Sequence, residues 1–143
     1  MKNASNIVKS LNTTLVTLLF LLVAFHPIPA TAQESLVTDK ISKALKAGNA
    51  TQLAIHFNAS LDLSIPGDEG TYSKKQAEQI MKLFFTNNPI QSFELEHSGN
   101  SNSGSHYLIG SYESTNKKSY RVYILIKGRD KNELIQQLQF EEE

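Results

Sequence analysis

Two glycines, two acids and two lysines crowd into IPGDEGTYSKK, Ile65 to Lys75, directly ahead of a stretch with helical apolar spacing. Three chemistries are open to such a segment: a phosphate cradle, an oxygen-ligand cation site, or an anion site at a helix start. A phosphate cradle needs G-x-x-x-x-G-K-[ST], and neither that spacing nor a dinucleotide-binding glycine pattern is present. A calcium loop needs oxygen ligands at alternate positions, which Asp68 and Glu69 do not supply. The third chemistry remains: free helix amides together with the ammonium groups of Lys74 and Lys75. Lysines at the first helical positions oppose the helix dipole at a cost of a few tenths of a kcal/mol. That makes them worth explaining, either as an anion site or as solvated side chains offset by Asp68 and Glu69.

The other titratable groups point weakly to catalysis. Asp62, Glu94 and Glu96 alternate with apolar residues, which places them on the polar faces of strands. His56 borders an apolar stripe containing Leu53 and Phe57, where it can serve as an acid or base or pack as an ordinary core histidine. His97 and His106 bracket the Gly/Ser/Asn run SGNSNSGS. Two imidazoles without a third ligand make a poor zinc site, so both read as exposed hairpin residues. No serine sits in a G-x-S-x-G elbow. No residue is therefore assigned a catalytic role, and no metal or cofactor is expected.

A less ordinary pattern lies in SYRVYILIK and HYLIGSY. Tyr120, Val122, Ile124 and Ile126 share one strand face, yet Tyr123 and Leu125 stand between Arg121 and Lys127 on the other. Leu108 and Tyr112 likewise oppose Tyr107 and Ile109. An antiparallel sheet covered on one side normally shows a polar outer face. Two apolar faces imply a partner, a second copy or a ligand, unless sheet curvature hides both. Tyr107, Tyr123 and Arg121 combine apolar area with polar tips and are the first contact candidates, with Lys74 and Lys75 second.

The elements that must hold these residues follow from periodicity. Leu36, Val37, Ile41, Ala44 and Leu45 form one side of a helix ended by Gly48, and Thr38, Asp39, Ser42, Lys43 and Lys46 form the other. Asn49 and Gln52 give a capping pattern for a second helix carrying Leu53, Ala54 and Phe57. Leu61, Leu63 and Ile65 alternate as a strand stopped by Pro66-Gly67. Ser73 and Gln76 form a capping box for a third helix, whose stripe is Ala77, Ile80, Met81, Phe84 and Phe85. GDEG then serves as the turn from strand to helix. Four strands follow, separated by hairpin-like connections and a turn at Asp130–Glu133. The expected order is two helices, a strand, a helix and four strands: an α+β domain with an antiparallel sheet and helices on one side.

The first 32 residues read as a signal peptide: Lys2 and Lys9 without an acid, LVTLLFLLVAF, then Ala30-Thr31-Ala32 before the cut. The apolar run is about half the roughly 20 residues that span a bilayer, so no membrane anchor is expected after cleavage. One domain, 33–143, remains. Of the 14 basic residues, Lys2 and Lys9 leave with the leader, so 12 oppose 14 acids for a net charge of −2. That balance gives no reason to expect nucleic acid. The chain has no cysteine, which rules out disulfides and thiolate metal sites even after export.

The stretches IPGDEGTYSKKQAEQI, FFTNNPI, SHYLIGSY and SYRVYILIKG followed by LIQQLQFEEE resemble a family of secreted Bacteroidetes proteins, domain of unknown function 4783, within the nuclear transport factor 2-like superfamily. The resemblance covers nearly the whole chain after the leader. It implies a cone, in which a strongly curved sheet wraps around helices and encloses a pocket, and a periplasmic or extracellular setting. It implies no particular activity, because the superfamily includes isomerases, epoxide hydrolases and dehydratases as well as non-catalytic binders. Two functions stay open. One is an exported, non-catalytic binding domain for a small amphipathic ligand or a protein partner, itself included as a homodimer. The other is a small isomerase or hydratase with a buried acid or base in the cone.

Overall fold

The structure, a computed structural model, describes residues 36–101, 104–128 and 132–143. The expected signal peptide with its cut after Ala32, and Asp130-Lys131 of the last turn, lie outside the described residues. Helix α1 (Leu36–Lys46) and the short α2 (Ala50–Ala54) come first, then strands β1 (Phe57–Ile65) and β2 (Asp68–Ser73). Helix α3 (Lys74–Asn87) follows, and β3 (Ile90–Asn100), β4 (Ser105–Ser114), β5 (Ser119–Lys127) and β6 (Leu134–Glu142) complete the chain. The strands form one unclosed, curved sheet in the order β2-β1-β6-β5-β4-β3. Pairing is antiparallel except at β1 against β6, which run parallel, so the sheet is mixed.

Helix α3 begins where the sequence places it. Ser73 Oγ accepts from the Gln76 amide at 3.4 Å, and Gln76 Oε1 accepts from the Ser73 amide at 3.1 Å, closing the capping box. Its stripe of Ala77, Met81, Phe84 and Phe85 is buried against the sheet. There the rings of Phe84, Phe85, Tyr112, Tyr120 and Phe140 meet at centroid distances from 4.7 Å for Phe84 and Phe140 to 6.4 Å for Tyr120 and Phe140. Most of these pairs are tilted or edge-to-face, the favourable geometry for aromatic quadrupoles.

Three local expectations are corrected. GDEG is not a turn from strand to helix: Pro66 and Gly67 alone make the turn, and Asp68–Ser73 pairs with β1 from Ile65 opposite Asp68 to Ser60 opposite Ser73. Gly67, at φ +87°, takes the left-handed position of a turn with proline before it. Phe57 does not extend the α2 stripe but opens β1 opposite Ile135. On α1, Leu36 is 77% exposed and Thr38 is buried, the reverse of the expected faces. Thr38, Ile41 and Leu45 follow at i, i+3 and i+7 along the buried stripe, while Leu36 projects from the first turn.

Candidate functional site

Alternation along β4 and β5 divides their side chains between two environments. Leu108, Tyr112, Tyr120, Val122, Ile124 and Ile126 enter the core, and Tyr107, Ile109, Arg121, Tyr123 and Leu125 face outward. Register aligns Tyr107 with Leu125, Ile109 with Tyr123, and Ser111 with Arg121. On the other flank, Leu125, Tyr123 and Arg121 oppose Gln137, Gln139 and Glu141. The rings of Tyr107 and Tyr123 lie diagonally across the strand pair, stacked at 6.5 Å between centroids and 17° between planes. Tyr107 is 37% exposed, whereas Ile109, Tyr123 and Leu125 are half-buried. The structure thus brings Tyr107, Tyr123 and Arg121 onto one surface, an apolar patch rimmed by amides and by charges of both signs.

Lys74 and Lys75 are elsewhere and do not act together. The capping box already occupies the Gln76 amide, and Lys74 Nζ donates to the carbonyl of Ile55 at 3.2 Å. A cation placed against the dipole of its own helix thereby satisfies the carbonyl of Ile55, the C-cap residue of α2. Lys75 is exposed.

Beside that contact, α1 and α2 enclose a cleft of about 430 Å³. Ala44, Ala47 and Ile55 supply apolar walls; Lys40, Lys43 and Gln52 stand along it with His56. Burial lowers the His56 pKa below its ordinary 6.5, and the charges of Lys40 and Lys74 lower it further. Sequence reasoning placed Lys43 on a polar helix face and missed the cleft. Ile55, apolar and 55% exposed immediately after buried Ala54, is the residue that could have signalled it.

The remaining histidines behave differently from the hairpin reading. His97 is exposed and opposes Ile109, while His106 opposes Asn100, so they are not cross-strand partners. His106 is half-buried beneath α1, with Nε2 3.5 Å from Thr38 Oγ1 and Nδ1 3.7 Å from Glu133 Oε1. It is inward-facing by the parity that buries Leu108, which is why the exposed-hairpin reading fails for it. Among the described residues, no group of three or more histidines and carboxylates is placed to hold a metal ion.

Inside the cone the tyrosine hydroxyls are already committed. Tyr112 donates to the Asn88 carbonyl at 2.6 Å, and Tyr120 donates to Asn88 Oδ1 at 2.8 Å. Burial, with a smaller contribution from Tyr120, pushes the Tyr112 pKa up to about 12. The buried polar residues described are Thr38 and Ser114, neither of them an acid or base.

A curved sheet over a long helix, with an aromatic interior, defines an α+β domain with the nuclear transport factor 2-like fold. The family profile for the domain of unknown function DUF4783 matches residues 38–141, and the chain belongs to that family. Crystal structures of DUF4783 family proteins from Bacteroides ovatus and Bacteroides uniformis superpose with TM-scores of 0.69 and 0.69, at 26% and 25% identity. These alignments cover 78% and 75% of this chain and 98% and 97% of theirs. A designed Rd1NTF2 protein, 11% identical, superposes with a TM-score of 0.60 over 73% of this chain and 92% of its own, a likeness of fold alone. No curated protein matches this chain.

Proposed function

We propose that this chain is an exported, non-catalytic binding domain that docks a protein partner on the outer face of β4 and β5, a second copy of the chain being the simplest such partner. One observation carries the reading: Tyr107 stacks on Tyr123 beside Ile109 and Leu125 on the sheet face turned away from α3. An outer face of this kind normally alternates to polar residues, and a contiguous apolar patch marks an interaction surface. Tyrosines suit such a surface because they add apolar area at little conformational cost and keep a polar tip. The rim favours self-association, since Arg121 and Glu141 are cross-strand neighbours of opposite charge and a two-fold contact places each patch on its own copy. Export rests on the leader pattern of residues 1–32.

The competing reading, a small isomerase or hydratase, requires an acid or base facing substrate within the cone. The commitment of both inner tyrosine hydroxyls to Asn88 and the aromatic fill around Phe84 favour binding over that chemistry. The same fill turns attention from a ligand inside the cone to surfaces outside it.

Hydroxyl-radical footprinting of the exported fraction, compared with dilute purified protein, tests the proposal. Tyr107 and Tyr123 are expected to be protected in the exported fraction; equal labelling in both samples overturns docking on this face. Native mass spectrometry then identifies the partner, with twice the chain mass expected and a return to the single mass in Tyr123→Glu.

A further inference from the structure

The cleft between α1 and α2 lies apart from the outer sheet face and has a chemistry of its own. Its walls are the methyl groups of Ala44 and Ala47 and the side chain of Ile55, which stays 55% exposed although Leu53 and Ala54 beside it are buried. Lys40 and Lys43, three residues apart on α1, stand on the same side of that helix. Lysine stems extend an apolar wall while their ammonium groups stay at its rim. Among the described residues, no carboxylate lines the cleft and neither lysine belongs to an ion pair. Lys74 adds a third positive charge from the start of α3, held in place by the Ile55 carbonyl. Both Lys40 and Lys74 act on the His56 ring, so the positive charges converge on one partly enclosed spot. Like charges gathered beside low-dielectric walls repel one another and draw in a counter-ion.

We propose that this cleft binds a small amphipathic anion, a single carboxylate or phosphate head on a short apolar chain. The head lies between the ammonium groups of Lys40 and Lys43, with the Gln52 amide within the same lining as a further donor, and the chain lies against Ala47 and Ile55. The volume of about 430 Å³ falls within the range of small-molecule sites and is large enough for a head and a short tail, though not for a folded partner. His56 gives the site a built-in reporter. An anion beside the ring favours the imidazolium, so binding raises the His56 pKa, and by linkage affinity rises as pH falls through the interval between the free and bound values.

The test uses the exported protein, followed by amide and histidine NMR, with octanoate, octyl phosphate, octanol and octyltrimethylammonium as probes. One or both anionic probes are expected to shift Ala47, Ile55 and His56 saturably and to raise the His56 pKa; their ratio distinguishes a carboxylate from a phosphate head. Lys40→Gln/Lys43→Gln is expected to weaken binding at least tenfold. Lys127→Gln, at the far end of β5, is expected to leave it unchanged. Equal binding of octanol or of the cationic probe overturns the proposal, as does undiminished affinity in the double variant or no binding of either anion up to its solubility limit. Retained amide dispersion shows that these surface variants remain folded.

Discussion

The ring of Tyr107 lies over Gly99, its partner on the neighbouring strand: a Cβ built on Gly99 would stand 2.5 Å from the Tyr107 hydroxyl oxygen. The absence of a side chain on β3 therefore lets the ring lie flat near Tyr123. Gly99→Ala should lift that ring and break the stack while leaving the core intact. The backbone there is not left-handed, and alanine suits a strand better than glycine, so stability should change by less than about 1 kcal/mol. Quenching of tyrosine fluorescence by added acrylamide would increase as the ring lifts into solvent. Unchanged quenching would show that the ring does not depend on the glycine.

His56 should titrate below 6.5, because burial and the charges of Lys40 and Lys74 disfavour its charged form. Its unfolded-state pKa stays near the ordinary value, so the unfolded chain binds more protons between the folded pKa and 6.5. Stability therefore falls as pH drops through that window, and this loss is absent above it. Lys40→Gln should raise the His56 pKa and shrink the acid-side loss, as read from histidine NMR and urea unfolding at pH 5 and pH 7.5.

Asn88 serves two roles at once: its Nδ2 donates to the Phe84 carbonyl at the end of α3, and its Oδ1 accepts from Tyr120. Asn88→Ala leaves the buried Tyr120 hydroxyl without that acceptor and should cost about 1–3 kcal/mol, which urea denaturation would measure. Tyr112 should be less affected, because it donates to the backbone carbonyl of residue 88, which the substitution keeps.

Ser73→Ala removes the oxygen that accepts from the Gln76 amide and should cost about 1 kcal/mol. Ser73→Asp keeps an acceptor and adds a charge matched to the helix dipole. It should recover most of the loss, with thermal unfolding as the readout; no recovery would show that the cap is not what Ser73 contributes.

Much of the architecture is legible without coordinates, and the reason is local. The α3 stripe, its Ser73/Gln76 cap and the alternation along β4 and β5 depend on neighbours within one turn or one strand, and periodicity records such relationships directly. Tyr107, Tyr123 and Arg121 share a face for the same reason, since parity along a strand assigns faces before any pairing is known.

Strand β2 shows where that logic stops. DEGTYS has no apolar alternation to read, because most of its side chains are exposed and it is a strand only through backbone pairing with β1 at a sheet edge. The parallel contact of β1 with β6 joins distant segments, and no local signal encodes it.

By itself, then, the sequence determined the helical and strand periods, the cap of α3, the unusual second apolar face and the family likeness, all of them properties of short stretches of chain. Tertiary structure alone decided that Lys74 caps α2, that His106 turns in toward Thr38, and that Lys40, Lys43 and His56 converge on one cleft. The physical reason is that burial and electrostatic fields depend on distance in space, and residues far apart along the chain acquire those distances only when it folds.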